Sequence, residues 1–132
     1  MANDPRPQLL ARFKATPEGK PEFIKDDDLR HYKIVFEVEN APPDTYAATL
    51  VLDPTYYDNR RTLRPDSDGR FRLETTTFGD YNVTVRLRTK EGDIQLIENL
   101  EQALERARER SSTGARMDDA AVNEALAYIA AH

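Results

Sequence analysis

Residues 71–87 read Phe-Arg-Leu-Glu-Thr-Thr-Thr-Phe-Gly-Asp-Tyr-Asn-Val-Thr-Val-Arg-Leu. Phe71, Leu73 and Thr75 alternate with Arg72, Glu74 and Thr76, while Tyr81, Val83, Val85 and Leu87 alternate with Asn82, Thr84 and Arg86. Successive side chains of an extended chain point to opposite faces, so each run has one apolar and one polar face, as a half-buried strand requires. Between the runs lies Phe78-Gly79-Asp80, a turn sequence that carries an aromatic ring.

The same period of two extends outward in both directions. Upstream, Tyr32, Ile34, Phe36 and Val38 alternate with Lys33, Val35, Glu37 and Glu39 until Asn40 to Asp44, with Pro42 and Pro43, ends the run. Tyr46 to Leu52 places Ala48, Leu50 and Leu52 on one face, and Asp53 with Pro54 stops it. Downstream, a turn over Lys90 to Asp93 leads to a fifth short run, Ile94 to Ile97. Short strands at roughly 8–12-residue spacing, joined by Gly, Pro and Asp turns, predict a mainly β fold, an antiparallel β-sandwich over residues 29–98.

The flanks differ from this core. Residues 1–28 contain four of the eight prolines and end in Asp26, Asp27 and Asp28, which predicts an irregular N-terminal arm anchored by Leu9, Leu10, Phe13, Phe23 and Ile24. Residues 99–132 predict a two-helix C-terminal extension. Leu100, Ala103, Leu104 and Ala107 recur at helical spacing, with Gly114 as a cap beyond the first helix. Asp118 is a suitable N-cap for the second, Met117 and Val122 make a hydrophobic staple, and Val122, Ala125, Leu126 and Ile129 form its stripe. The first stripe thins to alanine beyond Leu104, so these helices pack on the sandwich, on a second copy of the chain, or on another protein.

At 132 residues the chain has room for one core. Cys is absent, which removes thiol nucleophiles and disulfides together and fits a reducing compartment; with no apolar leader in Met1 to Leu10, the expected location is the cytoplasm. A mean hydropathy of −0.75 disfavours a membrane span. With 24 acidic against 19 basic residues and a net charge of −5, a non-specific nucleic-acid binder is disfavoured, because displacing counterions from phosphates needs a net basic face.

Enzyme signatures are scarce. The histidines are His31 and His132 and the serines Ser67, Ser111 and Ser112, an inventory that yields no nucleophile with a base and an orienting partner, so neither catalytic nor cofactor-binding residues are expected. His31 beside Asp26 to Asp28 lacks the further ligands of a metal site and reads more simply as a solvated strand end. Asp66-Ser67-Asp68-Gly69 starts like a calcium loop but lacks its third acidic position and distal Glu, so a turn before a strand is expected.

Two groups of residues remain as binding candidates. If the runs flanking Phe78 pair as a hairpin, 71 faces 87 and 73 faces 85, which sets Arg72 opposite Arg86 and Arg70 opposite Arg88. Like charges so placed call either for an intervening Glu37, Glu39 or Glu74 or for an anionic ligand, with Arg60, Arg61 and Arg64 extending the patch. The second group is aromatic. Tyr56 and Tyr57 follow the second strand, and Phe78 and Tyr81 stand between the third and fourth, in turns where a core does not need rings. Rings from two loops at one end of a sandwich make a slot for a flat, polarisable group such as an amide or acyl chain; the plainer reading is that Tyr56 or Tyr81 plugs the sandwich end. A carbohydrate-binding sandwich would also use exposed rings, but Trp is absent.

At these two loops the chain resembles the YEATS domain family, in its prokaryotic branch. Leu52-Asp53-Pro54-Thr55-Tyr56 is similar to the family's Leu-His-x-Ser-Phe at a strand end, and Phe78-Gly79-Asp80-Tyr81 to its Trp-Gly-x-Phe turn. The likeness covers about residues 32 to 100. It implies an immunoglobulin-like β-sandwich whose end loops read acylated lysine without catalysis. Carried over by position, Tyr56 and Phe78 are the sandwiching rings, Thr55 the hydroxyl contact, and Gly79 and Asp80 backbone donors, with Tyr81 completing the turn. Asp53 stands where acyl-lysine readers have His, an anion in place of an imidazole. Prokaryotic members resemble modules of signalling and defence proteins. The expected partner is therefore a protein or a modified peptide; the competing expectation is a structural protein that forms homo-oligomers or docks partners through its C-terminal helices.

Overall fold

A computed structural model describes residues 6–26, 28–52, 59–67, 69–110 and 119–131. Eight strands lie among them: β1 (Gln8–Phe13), β2 (Phe23–Asp26), β3 (Leu29–Glu39), β4 (Thr45–Val51), β5 (Arg60–Leu63), β6 (Phe71–Thr77), β7 (Asn82–Thr89) and β8 (Gly92–Asn99). Two helices follow, α1 (Leu100–Arg110) and α2 (Asp119–Ala131). All strand pairings are antiparallel and form two sheets, one of β1, β2, β3 and β6, the other in the order β5-β4-β7-β8.

In the first sheet β3 is central. Its whole length from Tyr32 to Val38 pairs with β6, so β1, opposite Ile34 to Glu39, and β2, opposite Leu29 to Tyr32, share its other edge. Between them the chain makes an excursion closed by Lys14 N–H to Lys33 O, Lys33 N–H to Glu22 O, and a Glu22–Lys33 ion pair that holds the Glu22 carboxyl below the usual carboxylate range. The expected arm therefore corrects to two strands. β1 alternates weakly, because Leu9, Leu10 and Ala11 are all buried and both its faces are covered. β2 lacks alternation for the opposite reason, since all four of its residues are exposed.

The alternating residues face one another between the sheets. Leu9, Ile34, Phe36, Phe71 and Leu73 of the first meet Ala48, Leu50, Val83, Val85 and Leu87 of the second in one cluster. Leu100, Leu104, Val122, Ala125, Leu126 and Ile129 belong to the same cluster, so the helices complete this core. The apolar stripes are thus covered by this chain's own sandwich. Gly114, Met117 and Asp118, expected at the caps, lie outside the described residues.

The end of α2 is fixed by an aromatic group around Tyr32. That ring meets Phe13 at 5.7 Å, Phe23 at 5.2 Å and Tyr128 at 5.8 Å between centroids. The Arg30 backbone N–H donates to the Tyr128 hydroxyl at 2.8 Å. Its guanidinium donates to the Tyr32 hydroxyl and to Glu124, which raise its pKa above the ordinary arginine value, and lies over the Phe23 and Tyr128 rings. Asp66 closes the turn before β6, its carboxylate accepting from Arg70 N–H at 2.9 Å and its carbonyl from Gly69 N–H at 2.9 Å, with Gly69 at φ +75°.

Candidate functional site

The segment joining β6 to β7 carries the aromatic turn across from one sheet to the other. Thr77 is fully buried; its Oγ1 donates to Gly79 O at 2.7 Å and accepts from Gly79 N–H at 3.4 Å, which tightens the backbone around Phe78. Phe78 is half-buried, its ring edge-on to His31 with centroids 5.6 Å apart. The β3–β6 register brings this about: Tyr32 lies opposite Thr77, so the next pair outward is His31 with Phe78.

The other half of the turn is welded to α1. Asp80 accepts from Asn99 Nδ2 at 3.0 and 3.2 Å and from Glu101 N–H at 3.1 Å, and Tyr81 O accepts from Leu100 N–H at 3.0 Å. Asn99 is itself the N-cap, its Oδ1 accepting from Gln102 N–H at 3.1 Å. Three N–H groups of the first turn are satisfied in this way, and two carboxylate oxygens sit at the positive end of the helix dipole. The Asp80 side chain therefore braces the turn. Tyr81 packs against the core, in keeping with the plainer reading of that ring. Asp80→Ala is expected to cost about 1–2 kcal/mol in denaturant unfolding and to shift the Phe78 and Gly79 amide resonances, while Asp80→Asn retains much of both.

Asp53, Thr55 and Tyr56 of the expected site, with Tyr57, lie outside the described residues. His31 and Asn99 were not anticipated in these roles. Asn99-Leu100-Glu101-Gln102 carries a readable N-cap pattern, polar acceptor first and Gln three later. His31 carries no such local signal, because its proximity to Phe78 depends on which strands pair.

Strand pairing also corrects the arginine set. β6 pairs with β3, and β7 with β4 and β8, so Arg72 faces Glu37, with 3.1 Å from Nε to Oε1, while Arg86 lies between Thr49 and Gln95 and Arg88 between Ala47 and Asp93. Arg70 and Arg72 belong to one sheet's end of the molecule, Arg86 and Arg88 to the other sheet, and the four form no common site. Among the described residues no group of three or more His, Cys, Asp or Glu is placed to hold a metal ion, and no helix is long and apolar enough to cross a membrane.

With this geometry in place, the chain can be set beside known proteins. In fold, the chain is similar to the crystal structure of the yeast AF-9 homolog protein Yaf9, at 17% identity and a TM-score of 0.50, over 72% of this chain and 66%, just under two thirds, of that one. It is also similar to the Yaf9 YEATS domain in a structure recognising a succinylated histone H3 peptide, at 14% identity and a TM-score of 0.48, over 75% of this chain and 78% of that one. No curated protein matches it. The family model of the prokaryotic YEATS domain matches residues 32–99, the span from the first residue of the β3–β6 register through the last of β8, and the chain belongs to that family.

Proposed function

We propose that this chain is a non-enzymatic recognition module that takes an acylated-lysine side chain, on a protein partner, at the end of the sandwich bearing Phe78. The observation that carries the reading is the preorganisation of the turn: a partly buried ring at position 78, held from one side by Thr77 and from the other by the Asp80–Asn99–α1 cap. A ring already ordered before binding loses little conformational freedom on contact with a flat amide. Membership of the YEATS family and the Yaf9 domain's binding of a modified histone peptide support the same reading. In it, Tyr56 supplies the second ring, Thr55 a hydroxyl contact, and the Asp80 N–H meets the acyl oxygen, with the Gly79 N–H exchanging its long 3.4 Å bond to Thr77 Oγ1 for the same oxygen. Asp53, an anion in place of the readers' His, favours neutral or basic acyl-lysine surroundings over acidic ones. We place the activity in the cytoplasm, in a prokaryotic signalling or defence context, on the family resemblance and the Cys-free composition.

Titration of acetyl-lysine, succinyl-lysine and unmodified lysine peptides against the wild type and Phe78→Ala tests it. The expected result is binding of an acylated peptide over the unmodified one, lost by tenfold or more in Phe78→Ala. Equal, negligible binding throughout overturns the acyl-lysine reading. The apolar stripes of the helices are buried in this chain's own core, so the assembly alternative would need another of their faces.

A further inference from the structure

The outer face of the second sheet gathers arginines that take no ion pair among the described residues. In one row across the strands, Thr62, Thr49, Arg86 and Gln95 stand side by side; the next row holds Arg60, Val51 and Thr84, and the row on the other side Ala47, Arg88 and Asp93. A shallow depression of about 120 Å³ opens there, lined by the three arginines together with Thr49, Thr62 and Thr84. Arg30, Arg72 and Arg106 each form an ion pair with a carboxylate. Among the described residues no ion pair takes Arg60, Arg86 or Arg88. Arg86 is steadied by a neutral acceptor, Gln95 Oε1, at 3.2 Å, which orients the guanidinium and leaves its charge intact. Asp93, opposite Arg88, is the one carboxylate in these rows.

Guanidinium groups that line one depression raise the positive potential there, which an anion lying among them lowers. The donors decide which anion. Three guanidinium forks approach from two sides of β4, and the Thr49 and Thr62 hydroxyls lie 3.1 Å apart, so that one of the two hydrogens is left to point elsewhere. Donors converging from several directions match the oxygens of a tetrahedral phosphoryl group better than the two coplanar oxygens of a carboxylate. The depression is shallow and open to solvent, so it can seat that group while the carrier runs along the sheet face. We propose that Arg60, Arg86 and Arg88, with the threonine hydroxyls, bind a phosphorylated serine or threonine side chain presented by a peptide. This site lies on a sheet face, apart from the Phe78 turn, and its existence does not depend on acyl-lysine recognition.

The test is a titration of the whole chain, followed by NMR, with a pentapeptide carrying one phosphoserine, its unphosphorylated counterpart, and inorganic phosphate. The phosphopeptide is expected to shift the Thr49, Thr62 and Thr84 amides and the Arg86 side-chain resonance, and to bind at least tenfold tighter than either control. Arg86→Gln with Arg88→Gln reduces that affinity tenfold or more, as does Arg60→Gln on the edge strand, whereas Phe78→Ala leaves it unchanged. Equal weak binding of all three probes, an affinity indifferent to these arginine substitutions in folded protein, or shifts spread equally over Arg70 and Arg72 overturns the proposal.

Discussion

Ile129→Ala lowers the unfolding free energy by about 3 kcal/mol, read as a fall in the denaturant midpoint at constant slope. Ile129 is fully buried and lies in the same cluster as Phe36 and Leu87, although it is only three residues before His132. An isolated helix of 13 residues is marginal in water, so α2 persists because its stripe fills the core. Removing three carbon atoms there loses their transfer energy and leaves a cavity between α2 and the sheets. The cost does not stop at the helix. Tyr128, its neighbour, accepts from Arg30 N–H and stacks edge-on against Tyr32, so loosening α2 frees the start of β3, where β2 is attached. A single transition, with helix and sheet signals lost together, is the expected behaviour. Ala127→Ser, on the exposed side of the same helix, is the control and changes stability by no more than about 0.5 kcal/mol.

Residues differ in how openly they declare such roles in the sequence. Strands β3, β6 and β7 are legible because each has one wet face, and alternation records that asymmetry directly; β4, buried on nearly its whole length, and β8, exposed on most of its own, are legible through the turn residues that bound them. β1 is covered on both faces and β2 on neither, so period two fails for both; β5, Arg-Arg-Thr-Leu, has too little apolar content to register. Alternation also tells which side chains point inward without telling which strands are neighbours. The hairpin expected between residues 71–75 and 81–87 was consistent with every inward residue, yet the chain crosses between sheets at Phe78 to Tyr81, and the arginine pairings built on it fall with it. The site shows the same division. Phe78 and the glycine after it were legible as a ring in a turn. His31 reaches Phe78 only through long-range register, and the bracing of Asp80 depends on α1 starting where β8 stops.

The second large effect is expected where α1 closes the side of the sandwich. Leu9 is fully buried, and as an edge strand β1 presents its N–H and C=O away from β3, where no further strand pairs with them. Two side chains take the place of that strand. Glu98 Oε2, from β8, accepts the Leu9 N–H at 3.4 Å; Arg106 Nη1, from α1, donates to Leu9 O at 2.8 Å and to Glu98 Oε2 at 2.6 Å. One ion pair thus links an edge of each sheet through the helix. Both members are partly shielded, with 28% and 20% of the Arg106 and Glu98 side chains exposed, so the pair is neither a screened surface contact nor a fully desolvated one. Arg106→Met keeps the aliphatic stem but leaves a buried carbonyl without its donor and a half-buried carboxylate without its partner. Such losses cost more than the net value of the bonds themselves, and about 2–3 kcal/mol is expected. If the penalty comes from the stranded partner, then adding Glu98→Leu to Arg106→Met returns part of it, giving a coupling energy of about 1 kcal/mol or more in a double-mutant cycle. Hydrogen exchange locates the effect. Amides of β1 and the first turns of α1 are expected to lose protection in Arg106→Met while those of β4 and β7 keep it; uniform loss, or additive single and double variants, would mean that helix packing alone holds this side closed.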